Sequence, residues 1–155
     1  MKATNHENAT HFCIGNVTMN ITRGLVIDDP WIGYILSGTK IWEMRSRNAQ
    51  IRGPIGLIRK GTKAVWGVAT LSDVGSPLSH DEMIRSMEKH CIPLERIAEL
   101  AKHNRPWMLE NVQVLPHPIP YQHRRGAQSW VKFSTQETRQ IDNQLHAERL
   151  LRGPS

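Results

Sequence analysis

Apolar residues recur along this chain with two periods, and the switches between them mark its elements. Between residues 20 and 27, Ile21, Leu25 and Ile27 alternate partly with polar neighbours, the pattern of a first strand. A short helix is predicted over 30–37. Asp28 or Asp29 can cap it, Pro30 fits the first helical position, and Gly38 fits the left-handed residue just past the end. Strands are predicted over 39–46, 55–60 and 64–71, with a loop at 48–50 and a turn at Lys60–Lys63, on their β-branched and aromatic content. Ser79 with Glu82 forms a capping box for a helix over 80–90, with Met83, Ile84 and Met87 as its apolar stripe. Pro93 opens a second helix carrying Leu94, Ile97, Ala98 and Ala101 on one face. Two closing strands follow, 107–115 and 128–134, joined by a proline-rich loop, His117-Pro118-Ile119-Pro120. Ser134 with Glu137 is a second capping box, opening a tail helix with Ile141, Leu145 and Leu150 at helical spacing.

Strands interrupted by helical excursions, with Gly and Pro at the corners, suit an α+β fold: a small closed or half-open β-barrel with flanking helices. The expected organisation is a flexible N-terminal arm over 1–18, a domain over 19–134 and a tail helix over 135–155. The tail stripe docks either on the domain or on a protein partner. No stretch approaches the roughly twenty apolar residues of a membrane span, so no membrane association is expected. The polar start, Met1 to Thr10, lacks the apolar run of a signal peptide. The two cysteines, Cys13 and Cys91, lie far apart without metal-ligand spacing, which fits a reducing cytoplasm. The eight histidines are scattered, so neither metal nor cofactor is expected.

Charge sharpens the picture through its placement. The net charge is +6, and no Asp or Glu falls between Met44 and Ser72, where Arg45, Arg47, Arg52, Arg59, Lys60 and Lys63 all lie. A second acid-free stretch, Asn111 to Gln136, carries Arg124, Arg125 and Lys132. If the strands of the two blocks pair, they make one positive face for a polyanion, with RNA or another single-stranded nucleic acid as the expected partner.

The candidate chemistry sits between the helix stop and the strand after it, in Gly38-Thr39-Lys40-Ile41-Trp42-Glu43-Met44-Arg45. Glu43 and Arg45 share a strand face, and a twist after Gly38 brings Lys40 round to them. The cluster is either an ion pair that fixes the helix–strand joint or a polar cleft for a nucleobase or ribose-phosphate. In the second case Arg45 donates to phosphate or base, Glu43 accepts from an exocyclic amine, and Trp31 or Trp42 provides a stacking platform. Each tryptophan could equally be core, and Trp107 and Trp130 are undecided between the two.

This spacing resembles the signature of the ASCH domain, a branch of the PUA-like superfamily, written G-x-K-x-x-E-x-R after a P-W helix. Arg52-Gly53-Pro54-Ile55-Gly56-Leu57-Ile58, Val65-Trp66-Gly67-Val68-Ala69 with Asp73, Trp107-Met108-Leu109-Glu110-Asn111 and Trp130 extend the resemblance over about residues 20–134. Asp29 departs from the glutamine many members carry before the proline. The resemblance implies a PUA-like barrel whose cleft takes RNA or a modified nucleoside. Some small ASCH proteins are amidohydrolases that deacylate N4-acetylcytidine, which implies Lys40, Glu43 and a downstream glutamate as catalytic groups. Those enzymes tend to have threonine at the position of Glu43, and Glu88 is the nearest candidate for the downstream glutamate. Other ASCH proteins are ribonucleases or nucleic-acid-binding modules of transcription coactivators. The P-W helix and tryptophan-rich closing strands here look more like that larger branch, so a nucleic-acid-binding module is the leading expectation. A metal-independent hydrolase and a protein-interaction module are the alternatives.

Overall fold

The computed structural model describes residues 19–153; the expected arm over 1–18 and residues 154 and 155 lie outside them. In chain order the described elements are β1 (Arg23–Ile27), α1 (Trp31–Leu36), β2 (Trp42–Arg45), β3 (Gly53–Arg59) and β4 (Ala64–Val74). Three short helices follow, α2 (His80–Arg85), α3 (Met87–His90) and α4 (Leu94–Ile97), then β5 (Arg105–Pro120), β6 (Trp130–Lys132) and α5 (Thr135–Arg152). The strands make one mixed sheet in the order β2-β5-β4-β3-β1-β6, with β1 and β3 parallel and the other neighbours antiparallel. Three register shifts between β4 and β5 coil the sheet into a half-barrel, since each irregularity increases the local twist. The expected α+β architecture, a small barrel flanked by helices, is therefore present in its half-open form.

Both faces of the central strands are covered, which explains why their alternation is incomplete. Ile55 and Leu57 of β3 pack with Ile32 and Ile35 of α1, while Ile58 packs with Phe133, Ile141 and Leu145 on the α5 side. Gly56 belongs to this packing, because a Cβ there would lie 2.9 Å from the Phe133 ring. A third, smaller core of Met44, Met83, Ile92 and Ile97 fastens α2–α4 over β2.

Several boundaries differ from those the pattern predicts. Pro30 takes the N-cap of α1 rather than its first turn, with no side-chain cap. The Asp28 carboxylate instead accepts from Asp29 N at 3.0 Å, and the Asp28 backbone carbonyl receives Ile32 N. The helix expected over 80–90 breaks at Ser86, whose Oγ donates to the Glu82 carbonyl at 2.7 Å. The second helix shortens to α4, with Leu94 exposed. The proline-rich loop is strand: Ile119 and Pro120 pair with Val65 and Ala64. Beyond Met108, β5 has no β2 neighbour, so it becomes an edge on which prolines are tolerated. The last strand shortens to Trp130–Lys132.

Both capping boxes form as expected. In α5, Ile141 and Leu145 are buried against the domain, whereas Leu150 and Leu151 are exposed. Among the described residues no helix is long and apolar enough to cross a membrane.

This division of α5 predicts different responses along one helix. Leu145→Ala should cost about 2–5 kcal/mol through the cavity it leaves, and Leu151→Ala should stay within about 0.5 kcal/mol. Urea denaturation of the two variants checks this.

Candidate ligand cleft

The end of α1 sets the site. Gly38, at φ +83°, reverses the chain, and the backbone N–H groups of Thr39 and Lys40 both donate to the Tyr34 carbonyl at 3.0 Å. Regular strand resumes only at Trp42, so Lys40 lies off the pleat and its side chain reaches the same side as Glu43. Lys40 is only 1% exposed and Glu43 6%. The Lys40 Nζ donates to the His90 carbonyl at 2.7 Å and stands 3.6 Å from Glu43 Oε1. Arg45 sends Nε and Nη2 to Glu43 Oε2, each at 2.9 Å, and Nη2 also donates to the Val26 carbonyl at 2.7 Å. Glu43 thus spends one carboxylate oxygen on Arg45 and keeps the other toward Lys40 and the cleft.

Burial pulls the Lys40 amine below its ordinary value, and the neighbouring Glu43 only partly offsets this. His90, wholly buried behind it, is likewise pulled down by burial, with Lys40 adding to the effect. Burial thus disfavours the charged form of both groups, which are linked through the His90 backbone carbonyl.

Aromatic rings form the walls. The Lys40 Nζ lies 5.2 Å from the Trp31 ring centroid, and Arg96 lies 5.7 Å from the same ring. Trp107 and Trp130 stack at 5.9 Å and 17°, and the Arg45 guanidinium sits 5.7 Å from Trp107. Trp107 Nε1 donates to the Arg47 carbonyl at 3.0 Å, anchoring the rim loop. These groups surround a cleft of about 720 Å³, edged by Arg47, Asn48, Lys60, His103, Gln128 and Ser129, with Asp28 the acid at its rim.

Of the residues singled out in the sequence, Trp31, Lys40, Glu43, Arg45, Arg47 and Lys60 line this cleft. Lys63, Arg124 and Arg125 are exposed and do not line it. Tyr121 N donates to the Lys63 carbonyl at 3.1 Å, joining the β3–β4 turn to the 121–129 loop that carries both arginines and ends at the cleft. The rest are placed elsewhere. Trp42 packs beneath Lys89, with Nζ 4.7 Å from its ring. Arg52 braces its own loop through the Ala49 and Ile51 carbonyls and reaches Asp73. Arg59 pairs with Asp29 and covers Trp66 at 4.4 Å. Glu88 is exposed on α3 and does not line the cleft.

His90 escapes a reading by spacing, because its role depends on a carbonyl and two ring bonds that only the fold assembles. Trp107 and Trp130, undecided from sequence, become one stacked wall through the β1–β6 and β2–β5 pairings. Among the described residues no group of three or more His, Cys, Asp or Glu stands close enough to hold a metal ion.

No protein-family model and no curated protein matches the chain. Solved structures do. The fold matches ASCH from Zymomonas mobilis with a TM-score of 0.62 at 16% identity, covering 80% of this chain and 95% of that one. A serine-to-alanine mutant of ASCH from the same organism matches with a TM-score of 0.62 at 15% identity, covering 82% and 98%. A tyrosine-to-phenylalanine mutant matches with a TM-score of 0.60 at 16% identity, covering 78% and 96%. The chain has the ASCH fold. At these identities the likeness is one of fold, and the chemistry rests on the residues of the cleft.

Glu43→Gln should destabilise the protein by about 3–5 kcal/mol, because it leaves buried cationic groups without their counter-charge. It should also lower the Lys40 pKa further, since Glu43 raises it. Lys40→Met should cost less, as Glu43 keeps Arg45. Denaturant midpoints and the pH titration of the Lys40 Cε signal by NMR measure both effects.

Proposed function

We propose that this protein binds single-stranded RNA, taking one base into the cleft and the adjoining phosphates on its basic rim. The observation that carries this reading is the Lys40–Glu43–Arg45 set, with Lys40 and Glu43 buried, lining one cleft with half-buried Trp31 and Trp130 and with Arg47 and Lys60 at its edge. A base edge offers donors and acceptors, and the set answers both: Glu43 Oε1 accepts from an exocyclic amine, while Lys40 and Arg45 donate to ring or carbonyl acceptors. Trp31 and Trp130 are half-buried and line the cleft, and in this reading they supply stacking area, which tolerates any base. Arg47 and Lys60 at the edge of the cleft draw the adjoining phosphates, and Lys63, Arg124 and Arg125 add exposed positive charge outside it.

A second reading follows from Lys40 itself. A buried amine whose charge is disfavoured is a candidate general base for a water attacking an acyl group on a cytosine amine. Nζ takes one proton from water as hydroxide adds to the acyl carbon. The same proton then passes to the departing amine, leaving acid and amine as products. Glu43 steadies the transient ammonium. Such an enzyme needs no metal.

For binding, log affinity for a single-stranded oligoribonucleotide should fall with log salt by about 0.7 per neutralised phosphate. Arg45→Ala should weaken binding by about 1–3 kcal/mol if its contact is bidentate. Fluorescence anisotropy across a salt series tests both, and affinity indifferent to salt and to Arg45 removes the reading. For catalysis, chromatography of N4-acetylcytidine after incubation should show turnover that rises as pH climbs through the lowered Lys40 pKa and is lost in Lys40→Ala. Equal turnover by both proteins, or none by either, removes the second reading.

A further inference from the structure

His90 and Lys40 are the most deeply buried titratable groups of the described residues, and the proposed function uses only Lys40. The His90 ring nitrogens have opposite partners. Nε2 lies 2.7 Å from the Met83 carbonyl, which only accepts, so Nε2 carries the proton. Nδ1 receives the Ile92 backbone N–H at 2.9 Å, so Nδ1 carries none. The tautomer is thereby dictated by geometry, and an imidazolium fits only if the Ile92 bond is broken. The ring ties α2 to the segment that leaves α3, where Cys91 adopts the left-handed conformation at φ 64°.

The same residue's backbone carbonyl accepts from Lys40 Nζ at 2.7 Å, and the preceding carbonyl, that of Lys89, accepts from Ile41 N at 3.0 Å. Two successive carbonyls at the end of α3 therefore grip two successive residues at the start of the Lys40–Arg45 cluster. Ile92, held by Nδ1, also lines the cleft.

We infer that His90 is a positioning residue for the cleft: locked as the neutral Nε2–H tautomer, it fixes the carbonyl that holds the Lys40 amine in place. The charged group that bears on the ring is Lys40, from the joint between α1 and β2, with its partner Glu43 and then Arg45 beyond it on β2. Met83 of α2 and Ile92 before α4 meet the ring through backbone groups and add no charge. On its own helix, Glu88 is exposed and Lys89 turns to Trp42.

The sign of the pH effect follows from the lock. His90 is held below its unfolded value of 6.5, so its contribution to stability is fully present above that pH. It is lost as pH falls through the lower folded value. When the proton does arrive, the Ile92 bond breaks and the carbonyl that grips Lys40 is freed with it.

NMR on the wild-type protein, without any ligand, tests this. The long-range imidazole pattern should show the neutral Nε2–H form at neutral pH and retain it below pH 6.5. On further acidification the Lys40 Cε signal should move at the same pH as His90 protonation. Two variants each keep one ring bond: Gln at this position can donate to Met83, and Asn can accept from Ile92. In both His90→Gln and His90→Asn the Lys40 titration should move up toward 10.5 as water reaches the amine. The inference is overturned by an imidazolium or an Nδ1–H tautomer at neutral pH, or by His90 protonation that leaves Lys40 Cε unmoved. Folded variants with unchanged Lys40 titration overturn it as well. If the variants do not fold, the wild-type measurement still decides. The inference depends on the cleft reading only for what Lys40 is used for; with no nucleic acid present, it stands or fails separately from RNA binding.

Discussion

Burying one amine organises this molecule around its cleft. Lys40 is almost wholly withdrawn from water, and an isolated charge there would cost several kcal/mol. The fold meets that cost with partners from separate elements: Glu43 on β2, the His90 carbonyl at the end of α3, and the Trp31 ring on α1. Each partner lies on an element with its own reason to be there, so the joint between α1 and β2 is held from both sides. Arg45 extends the set by clamping the second Glu43 oxygen and the Val26 carbonyl, which ties β2 across to β1 at the opposite side of the cleft. The cluster is thus an ion pair that fixes a joint and also the polar floor of a cavity. The two descriptions concern the same bonds, and the cleft beside them, lined by half-buried Trp31 and Trp130, leaves room for a ligand.

The short helices between β4 and β5 complete the cleft rather than decorate it. Met83, Ile92 and Ile97 fasten them over Met44, and Ile92, Leu100 and His103 become part of the wall. Without this segment Lys40 would face water, and burial would no longer lower its pKa. Desolvation, aromatic contact and a backbone acceptor together give it a different chemistry from the exposed lysines at the rim. Exposed charge at the rim is open to screening by salt, whereas the floor is shielded from it by burial.

Local rules explain what could be read directly. The capping boxes at Ser79 and Ser134, the left-handed Gly38 and the order of strands and helices are short-range matters of hydrogen bonding and backbone freedom, and all appear where the residues indicate. The Lys40, Glu43 and Arg45 trio was legible for the same reason: three residues within six positions, next to a glycine turn, have few ways to point. Boundaries were less legible. The prolines of β5 read as a loop because nothing local reveals that this half of the strand has a neighbour on one side only. Ser86 breaks a helix whose apolar stripe continues straight through it.

By itself, then, the sequence determined the α+β class, the helix stop that launches the cluster and the excess of positive charge in two blocks. Only the tertiary structure decided which cations reach the cleft. Arg59 and Arg52 are drawn to Asp29 and Asp73, while Lys60 stays at the edge and Lys63 is linked to the loop of Arg124 and Arg125. It also decided that Trp107 and Trp130 stack, that Trp42 turns away under Lys89, and that a histidine fifty residues from Lys40 holds it. The physical reason is range. Caps and turns are settled by neighbours a few residues apart, but burial, ion pairing and ring stacking depend on groups that meet only after the sheet has closed around them.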